Sequence, residues 1–74
     1  MSQLPRISGR EVVKALSQIG YERDRQRGSH IILRQIVHPH RRVTVPDHSE
    51  VAKGTLRAVI REVGLTVDEF KKLL

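Results

Sequence analysis

Residues 21–45 read YERDRQRGSHIILRQIVHPHRRVTV and contain three short segments separated by two turn signals. Segment 30–37 is rich in β-branched and aliphatic residues, and segment 41–45 alternates valine with polar residues, as a half-buried strand does. Gly28-Ser29 is a typical hairpin turn, and His38-Pro39-His40 interrupts the chain a second time. We therefore predict a three-stranded antiparallel meander, whose charged first segment has the least typical strand composition.

A helical pattern precedes this meander. Apolar residues recur there at the i, i+3, i+4, i+7 spacing of a core-facing helix: Val12, Ala15, Leu16 and Ile19. Ser8 and Glu11 have the S-x-x-E spacing of a capping box, in which each residue satisfies a free backbone N–H at the start of the helix. We expect a helix over about residues 9–19, ended by Gly20.

Two further helices are expected after the meander. The first has the same apolar spacing and ends at Gly64: Leu56, Val59, Ile60 and Val63. Thr66 and Glu69 form a second capping box before a short helix with an apolar side: Val67, Phe70, Leu73 and Leu74. The order α-β-β-β-α-α predicts one α+β domain over residues 1–74, a two-layer sandwich with its helices on one face of the sheet.

The composition restricts the class of function. The 74-residue chain has 14 Lys plus Arg against 8 Asp plus Glu, a formal net charge of +6, which indicates a polyanionic partner such as RNA or DNA. It has no cysteine, so disulfides and thiolate zinc sites are excluded. Its longest apolar runs have three residues, as in Ile31–Leu33, and Ile36–Val37 has two, so we expect no signal peptide or membrane span and a cytoplasmic protein.

His30 is the strongest candidate for catalysis. It follows the Gly28-Ser29 turn, and a histidine can both accept and donate a proton near neutral pH. Four arginines lie close to it along the chain: Arg23, Arg25, Arg27 and Arg34. Their charge would attract a phosphodiester, and Gly28 would allow the backbone to approach it. On the pattern alone, the alternative is an ordinary half-exposed strand residue.

The length of the hairpin loop decides which face of the sheet carries His30. A two-residue loop pairs Arg27 with His30 and places Arg23, Arg25 and Arg27 on the histidine's face. A three-residue loop places Tyr21 and these arginines on the face of Ile31 and Leu33 instead. Tyr21 favours the buried face and the arginines favour the exposed face, so the sequence leaves both alternatives open.

Other polar residues are weaker candidates. His48 follows Pro46-Asp47 and could bind a phosphate or belong to a solvated turn. Thr55, with Lys53 before it and Arg57 after it, lies at the start of a helix, where a phosphate can bind; the alternative is a solvated helical face.

Metal binding and base stacking have little support. His38 and His40 offer too few ligands, with only Asp47 and Glu50 as nearby carboxylates, so we expect no metal and no cofactor. The chain has one tyrosine and one phenylalanine, so recognition by base stacking on the sheet is not expected.

Taken together, several segments resemble one known family. They are LPRISGRE at 4–11, GY at 20–21, RQRGSH at 25–30, VPDH at 45–48, GTLR at 54–57 and GLTVDEF at 64–70. This pattern covers nearly the whole chain and is similar to the HicA (YcfA-like) toxins of bacterial type II toxin–antitoxin modules. The G-S-H turn together with P-x-H and G-T-L-R is the most specific part.

The resemblance implies a small metal-independent endoribonuclease, an mRNA interferase, on a fold like that of double-stranded-RNA-binding domains. It implies that His30 is catalytic and that a HicB-type antitoxin neutralises the toxin. The residues expected to contact RNA are Gly28, Ser29, Arg25, Arg27, Arg34, His48, Lys53, Thr55 and Arg57. Whether His48 is a second catalytic group stays open. The competing interpretations are a non-catalytic double-stranded-RNA-binding module and a basic protein-interaction domain.

Overall fold

The computed structural model describes residues 3–74, which form helices and strands in the predicted order. Their bounds are α1 (Gly9–Ser17), β1 (Tyr21–Arg27), β2 (His30–Gln35), β3 (Arg42–Pro46), α2 (Lys53–Glu62) and α3 (Val67–Lys71). The strands form an antiparallel sheet in the order β1-β2-β3. The predicted α+β class and the three-stranded meander are therefore confirmed.

Capping boxes start α1 and α3, as the sequence predicts. At α1 the Ser8 hydroxyl accepts the Glu11 N–H at 3.1 Å, and the Glu11 carboxylate accepts the Ser8 N–H at 3.0 Å. At α3 the corresponding distances between Thr66 and Glu69 are 3.1 and 2.8 Å. Helix α2 starts differently, because its N-cap residue, Ala52, has no side chain that can accept a hydrogen bond.

The hydrophobic core lies between the helices and one face of the sheet. Its buried side chains come from every helix and strand and from two loops: Ile7, Val12, Ala15, Leu16, Tyr21, Ile31, Leu33, Val43, Val45, Val51, Leu56, Val59, Ile60 and Phe70. Alternate residues of the strands are exposed or only half-buried. The second face of the sheet is therefore open, which confirms that the helices cover one face.

Two residues assigned to apolar helical patterns lie outside the core. Ile19 is 37% exposed because α1 ends at Ser17, two residues earlier than the pattern predicts, and Gly20 follows with a φ of +92°. Leu74 is 53% exposed because α3 ends at Lys71. The periodicity thus predicts the buried side of each helix correctly but extends it past the last turn.

The register of the hairpin combines parts of both sequence-based alternatives. Arg27 pairs directly with His30, so the loop has two residues, and Gly28 adopts a φ of +58° that favours glycine. A bulge between Arg23 and Arg25 adds one residue to β1 and reverses the alternation of its side chains. As a result Arg25 and Arg27 share the face of His30, while Tyr21 is buried on the opposite face.

The position of Arg23 differs from the one that a two-residue loop predicts. It pairs with Leu33 on the helix-covered side of the sheet, and its guanidinium donates to the side-chain oxygen of Gln26 at 3.2 Å. A two-residue loop therefore does not place all three arginines of β1 on the histidine's face. The bulge is the reason, since strict alternation would have forced either Tyr21 outward or the arginines inward.

Candidate functional site

A groove of about 300 Å³ lies where the start of β2, the end of β3 and the first turn of α2 meet. We call it the histidine cleft; its lining residues are His30, Thr44, Pro46, His48, Ala52 and Thr55. His30 is exposed and pairs across the sheet with Arg27 on one side and Pro46 on the other. Two histidines, 18 positions apart in sequence, thus line one groove.

Backbone hydrogen bonds hold the loop that carries His48. The Asp47 N–H donates to the carbonyl of Ser29 at 2.6 Å, which joins this loop to the hairpin turn next to His30. The His48 carbonyl accepts the Gly9 N–H at 2.9 Å, and the Val51 N–H donates to the Ile7 carbonyl at 2.9 Å. The two histidines are therefore held by backbone contacts between the hairpin, the loop and the start of α1.

Gly9 allows the start of α1 to lie against this loop. A Cβ atom at position 9 would overlap the carbonyl oxygen of Pro46 and lie close to the Asp47 Cα. Only glycine can therefore occupy this position with the backbone where it is. A glycine in the first turn of an amphipathic helix was the only sequence signal for this contact, and it is a weak one.

The Asp47 side chain adds a second connection between the same three segments. One carboxylate oxygen accepts a hydrogen bond from Arg10 Nε at 3.4 Å, and the other accepts one from Gln26 Nε2 at 3.2 Å. Gln26 Nε2 also donates to the carbonyl of Gly28 at 3.0 Å, within the hairpin turn. Sequence reasoning missed this role of Asp47, because its partners lie 37 and 21 residues away in the chain.

The predicted arginines are not all close to the cleft. Arg27 and Arg25 lie on the same face of the sheet as His30. Arg27 pairs with His30 in the neighbouring strand, and Arg25 pairs with Ile32. Arg34 is on that face too, but it lies four residues further along β2, about 13 Å from His30 at the usual rise of a strand. It is half-buried beside Arg42, which forms an ion pair with Asp24 at 3.3 Å.

The predicted phosphate-binding end of α2 divides into two parts. Thr55 lines the histidine cleft, whereas Lys53 and Arg57 line a different cleft with Arg6. The reason is helical geometry: residues 53 and 57 are four apart and share one flank of α2, while Thr55 lies on the other flank. These residues were grouped by sequence adjacency, which does not reflect the faces of a helix.

His38 and His40 lie in the loop at the opposite end of the sheet. Their ring centroids are 6.1 Å apart, and His40 Nδ1 is 3.1 Å from the carbonyl oxygen of Gln35. Within residues 3–74, no three or more His, Asp or Glu side chains come together as ligands for a metal ion.

These observations define a small basic α+β protein with a cleft, lined by two histidines, where the sheet meets the first turn of α2. A protein-family model described as "HicA toxin of bacterial toxin-antitoxin" matches residues 9–65. The chain therefore belongs to the HicA family and is a toxin of a bacterial toxin–antitoxin module, which pairs it with an antitoxin. A comparison with curated proteins found no match. None of the helices in the described part of the chain is long and apolar enough to cross a bilayer.

Proposed function

We propose that this toxin is an mRNA interferase, an endoribonuclease that cleaves RNA by acid–base catalysis at the histidine cleft. HicA-family toxins are known to cleave mRNA. The observation that carries the proposal for this chain is that His30 and His48 line one groove on the open face of a basic protein. An open groove suits a polymer, which can lie across the surface without entering a deep cavity.

The proposed reaction needs two proton transfers and no metal. A base takes the proton of the ribose 2′-OH, and the 2′-oxygen attacks the adjacent phosphorus. The bond to the 5′-oxygen breaks, and an acid protonates that oxygen. The products are a 2′,3′-cyclic phosphate and a free 5′-hydroxyl. Because the 2′-OH is the nucleophile, RNA is the substrate and DNA is not.

His30 performs one of these two proton transfers, as base or as acid, and His48 is the candidate for the other. Their positions in one groove support this pairing, since the base and the acid act on opposite sides of the same phosphorus. Positioned proton transfer by one histidine contributes about 10²–10⁴-fold to the rate. A pair of proton transfers requires the two histidines to keep a fixed separation. The backbone hydrogen bonds of Asp47 and Gly9 would maintain it, because they join the loop of His48 to the hairpin turn and to α1.

The surrounding groups stabilise the negative charge that develops on the phosphate oxygens. Arg27 is the cation nearest to His30 in the sheet register, and Arg25 follows on the same face. Thr55 supplies a hydroxyl from the other wall of the cleft. Gly28 and Ser29 form the turn beside His30, where the absence of a Cβ at position 28 leaves room for a phosphate.

The partners follow from the same proposal. The substrate is mRNA in the cytoplasm, and the antitoxin is of the HicB type. An acidic antitoxin surface that covers the cleft and the arginines of the open sheet face would block access of RNA to both histidines.

The test compares four proteins on a labelled single-stranded RNA in buffer with EDTA: wild type, His30→Ala, His48→Ala and His38→Ala. His38 is the matched control, because it is an exposed histidine outside the cleft. We expect cleavage by wild type and His38→Ala, a loss of about 10²–10⁴-fold in His30→Ala, and a similar loss in His48→Ala if it is the second group.

Equal cleavage by wild type and His30→Ala would show that the assignment of His30 is wrong. If folded wild-type protein binds RNA but cleaves none, the non-catalytic RNA-binding interpretation takes its place. A 2′-deoxy substitution at the cleaved nucleotide provides a further check, since it removes the proposed nucleophile and must abolish cleavage there.

A further inference from the structure

A second cleft on the surface is strongly cationic. It measures about 360 Å³ and is lined by Arg6, Lys53 and Arg57, with Gln3 and Leu4. We call it the Arg6 cleft. Its three charged residues come from two separate segments, the chain before α1 and the first half of α2. The fold therefore brings Arg6 together with cations that are 47 and 51 positions away in the sequence.

Among the described residues that line the Arg6 cleft, none has a carboxylate. This differs from another groove of similar size, around Arg41 and Arg42, whose lining includes Glu62. The ion pairs Arg10–Asp47 and Arg42–Asp24 also use other cations. Like charges that converge without a counterion repel one another, and a bound anion relieves this repulsion.

We infer that the Arg6 cleft binds backbone phosphates of the RNA, at a distance from the bond that is cut. This inference rests on the proposed function for the identity of the substrate. The ligand is a phosphate-bearing strand because Arg, Lys and Gln are typical donors to phosphate oxygens, and because none of the described lining residues is an aromatic that could stack on a base.

The geometry of α2 connects this cleft to the histidine cleft. Leu56, Val59 and Ile60 of α2 face the core. Thr55 lies on one side of this buried stripe, in the histidine cleft, and Lys53 with Arg57 lies on the other side. The two clefts are thus separated by one helix, about 10–12 Å across with its side chains. At a rise of about 3.4 Å per nucleotide, this distance corresponds to roughly three nucleotides of a stacked strand.

The Arg6 cleft gives the toxin affinity for RNA without sequence preference. Phosphate contacts position a strand and carry no direct base information. The substrate must then extend at least about three nucleotides beyond the cut on one side to gain this affinity. Short oligonucleotides that reach only the histidine cleft gain nothing from the three cations.

The test measures RNA binding by fluorescence anisotropy as a function of salt, in a His30→Ala background so that the probe is not cleaved. The variant is Arg6→Ala/Lys53→Ala/Arg57→Ala. The control is Lys14→Ala/Lys71→Ala/Lys72→Ala, which removes the same charge from three exposed lysines outside both clefts. The probes are a single-stranded 12-nucleotide RNA and a 3-nucleotide RNA of the same central sequence.

For the longer probe we expect the slope of log K against log salt to become shallower by about 2 in the Arg6-cleft variant, because three contacts contribute about 0.7 each. If the two proteins bind the probe equally at 1 M salt, this difference in slope corresponds to roughly 50-fold weaker binding by the variant at 0.15 M salt. We expect a much smaller change in the lysine control and no difference between the variants with the 3-nucleotide probe.

A slope that changes no more than in the lysine control overturns the inference. If the slope is unchanged and the Arg6-cleft variant binds the antitoxin more weakly, the cleft contacts the protein partner and the inference is wrong. This result does not depend on the proposed chemistry. If the slopes are as expected but wild type does not cleave RNA, the proposed nuclease activity is wrong and the inference about the Arg6 cleft still holds. If wild type cleaves RNA but the slopes are unchanged, only the inference that the Arg6 cleft binds RNA is wrong.

Discussion

Replacement of Gly9 by alanine tests whether the close approach of α1 holds the loop of His48. In most helices Gly→Ala is stabilising by about 0.5–1 kcal/mol, because alanine loses less backbone entropy on folding. At position 9 the new methyl group would overlap the Pro46 carbonyl, so either α1 or the loop must move. Such overpacking costs about 1–3 kcal/mol.

The movement also weakens the hydrogen bond from the Gly9 N–H to the His48 carbonyl, worth about 1 kcal/mol. After the gain in helix propensity is subtracted, Gly9→Ala should destabilise the protein by about 2 kcal/mol. For a chain of this size, that corresponds to a fall in Tm of about 8–16 °C.

Gly54→Ala is the matched control. Gly54 also lies in the first turn of a helix, but a Cβ there meets nothing within 4 Å. We expect Gly54→Ala to be neutral or to stabilise the protein by up to about 1 kcal/mol. Urea denaturation and thermal unfolding of both variants measure the effect. If Gly9→Ala is as stable as wild type, or if the two substitutions have the same sign, the contact between α1 and the loop does not hold His48 as described.

Asp47→Ala removes the acceptor for Arg10 and Gln26. We expect the free energy of unfolding, measured by urea denaturation, to fall by about 1–2 kcal/mol, and kcat on RNA to fall as well. Asp47→Asn retains one acceptor and should recover part of both losses. An unchanged kcat would show that the carboxylate does not position the cleft. Hydrogen bonds from the Thr66 backbone N–H and hydroxyl lower the pKa of Glu69, so this carboxylate stabilises the folded state above the pKa of the unfolded chain, and that contribution is lost as pH falls through the lower folded pKa. Unfolding measured between about pH 5 and pH 3 should therefore lose less stability in Glu69→Gln than in wild type. Identical acid profiles for wild type and Glu69→Gln would contradict this role of the capping box.

Local patterns predicted much of the fold. The capping boxes at Ser8 and Thr66 and the Gly28-Ser29 turn use interactions between residues close in sequence, so their structural meaning is visible in the sequence. The bulge near Asp24 could not be predicted in the same way. It forms because the burial of Tyr21 and the exposure of Arg25 together require one break in the alternation, and nothing in YERDRQR specifies where that break falls.

The candidate site was predictable as a set of residues but not as an arrangement. His30 stood out because of the turn and the arginines beside it, and His48 because of its proline-containing loop. Their common cleft depends on contacts distant in sequence, from Gly9 to His48 and from Ser29 to Asp47, which no local pattern encodes. For the same reason Lys53 and Arg57 were grouped with Thr55, although they lie on the other flank of α2.

The anchoring of the His48 loop also bears on when the histidine cleft is completed during synthesis of the chain. The contacts from Ile7 and Gly9 to Val51 and His48 are non-local, and contacts of this kind are slow to form because a long loop must close first. A chain that ends at Val51 contains the residues of the hairpin, with His30, but lacks Ala52 and Thr55, which line the other wall of the cleft. The histidine cleft is therefore complete only once the first turn of α2 has been added, and under the proposed function the chain gains its site for RNA only at that late stage of synthesis.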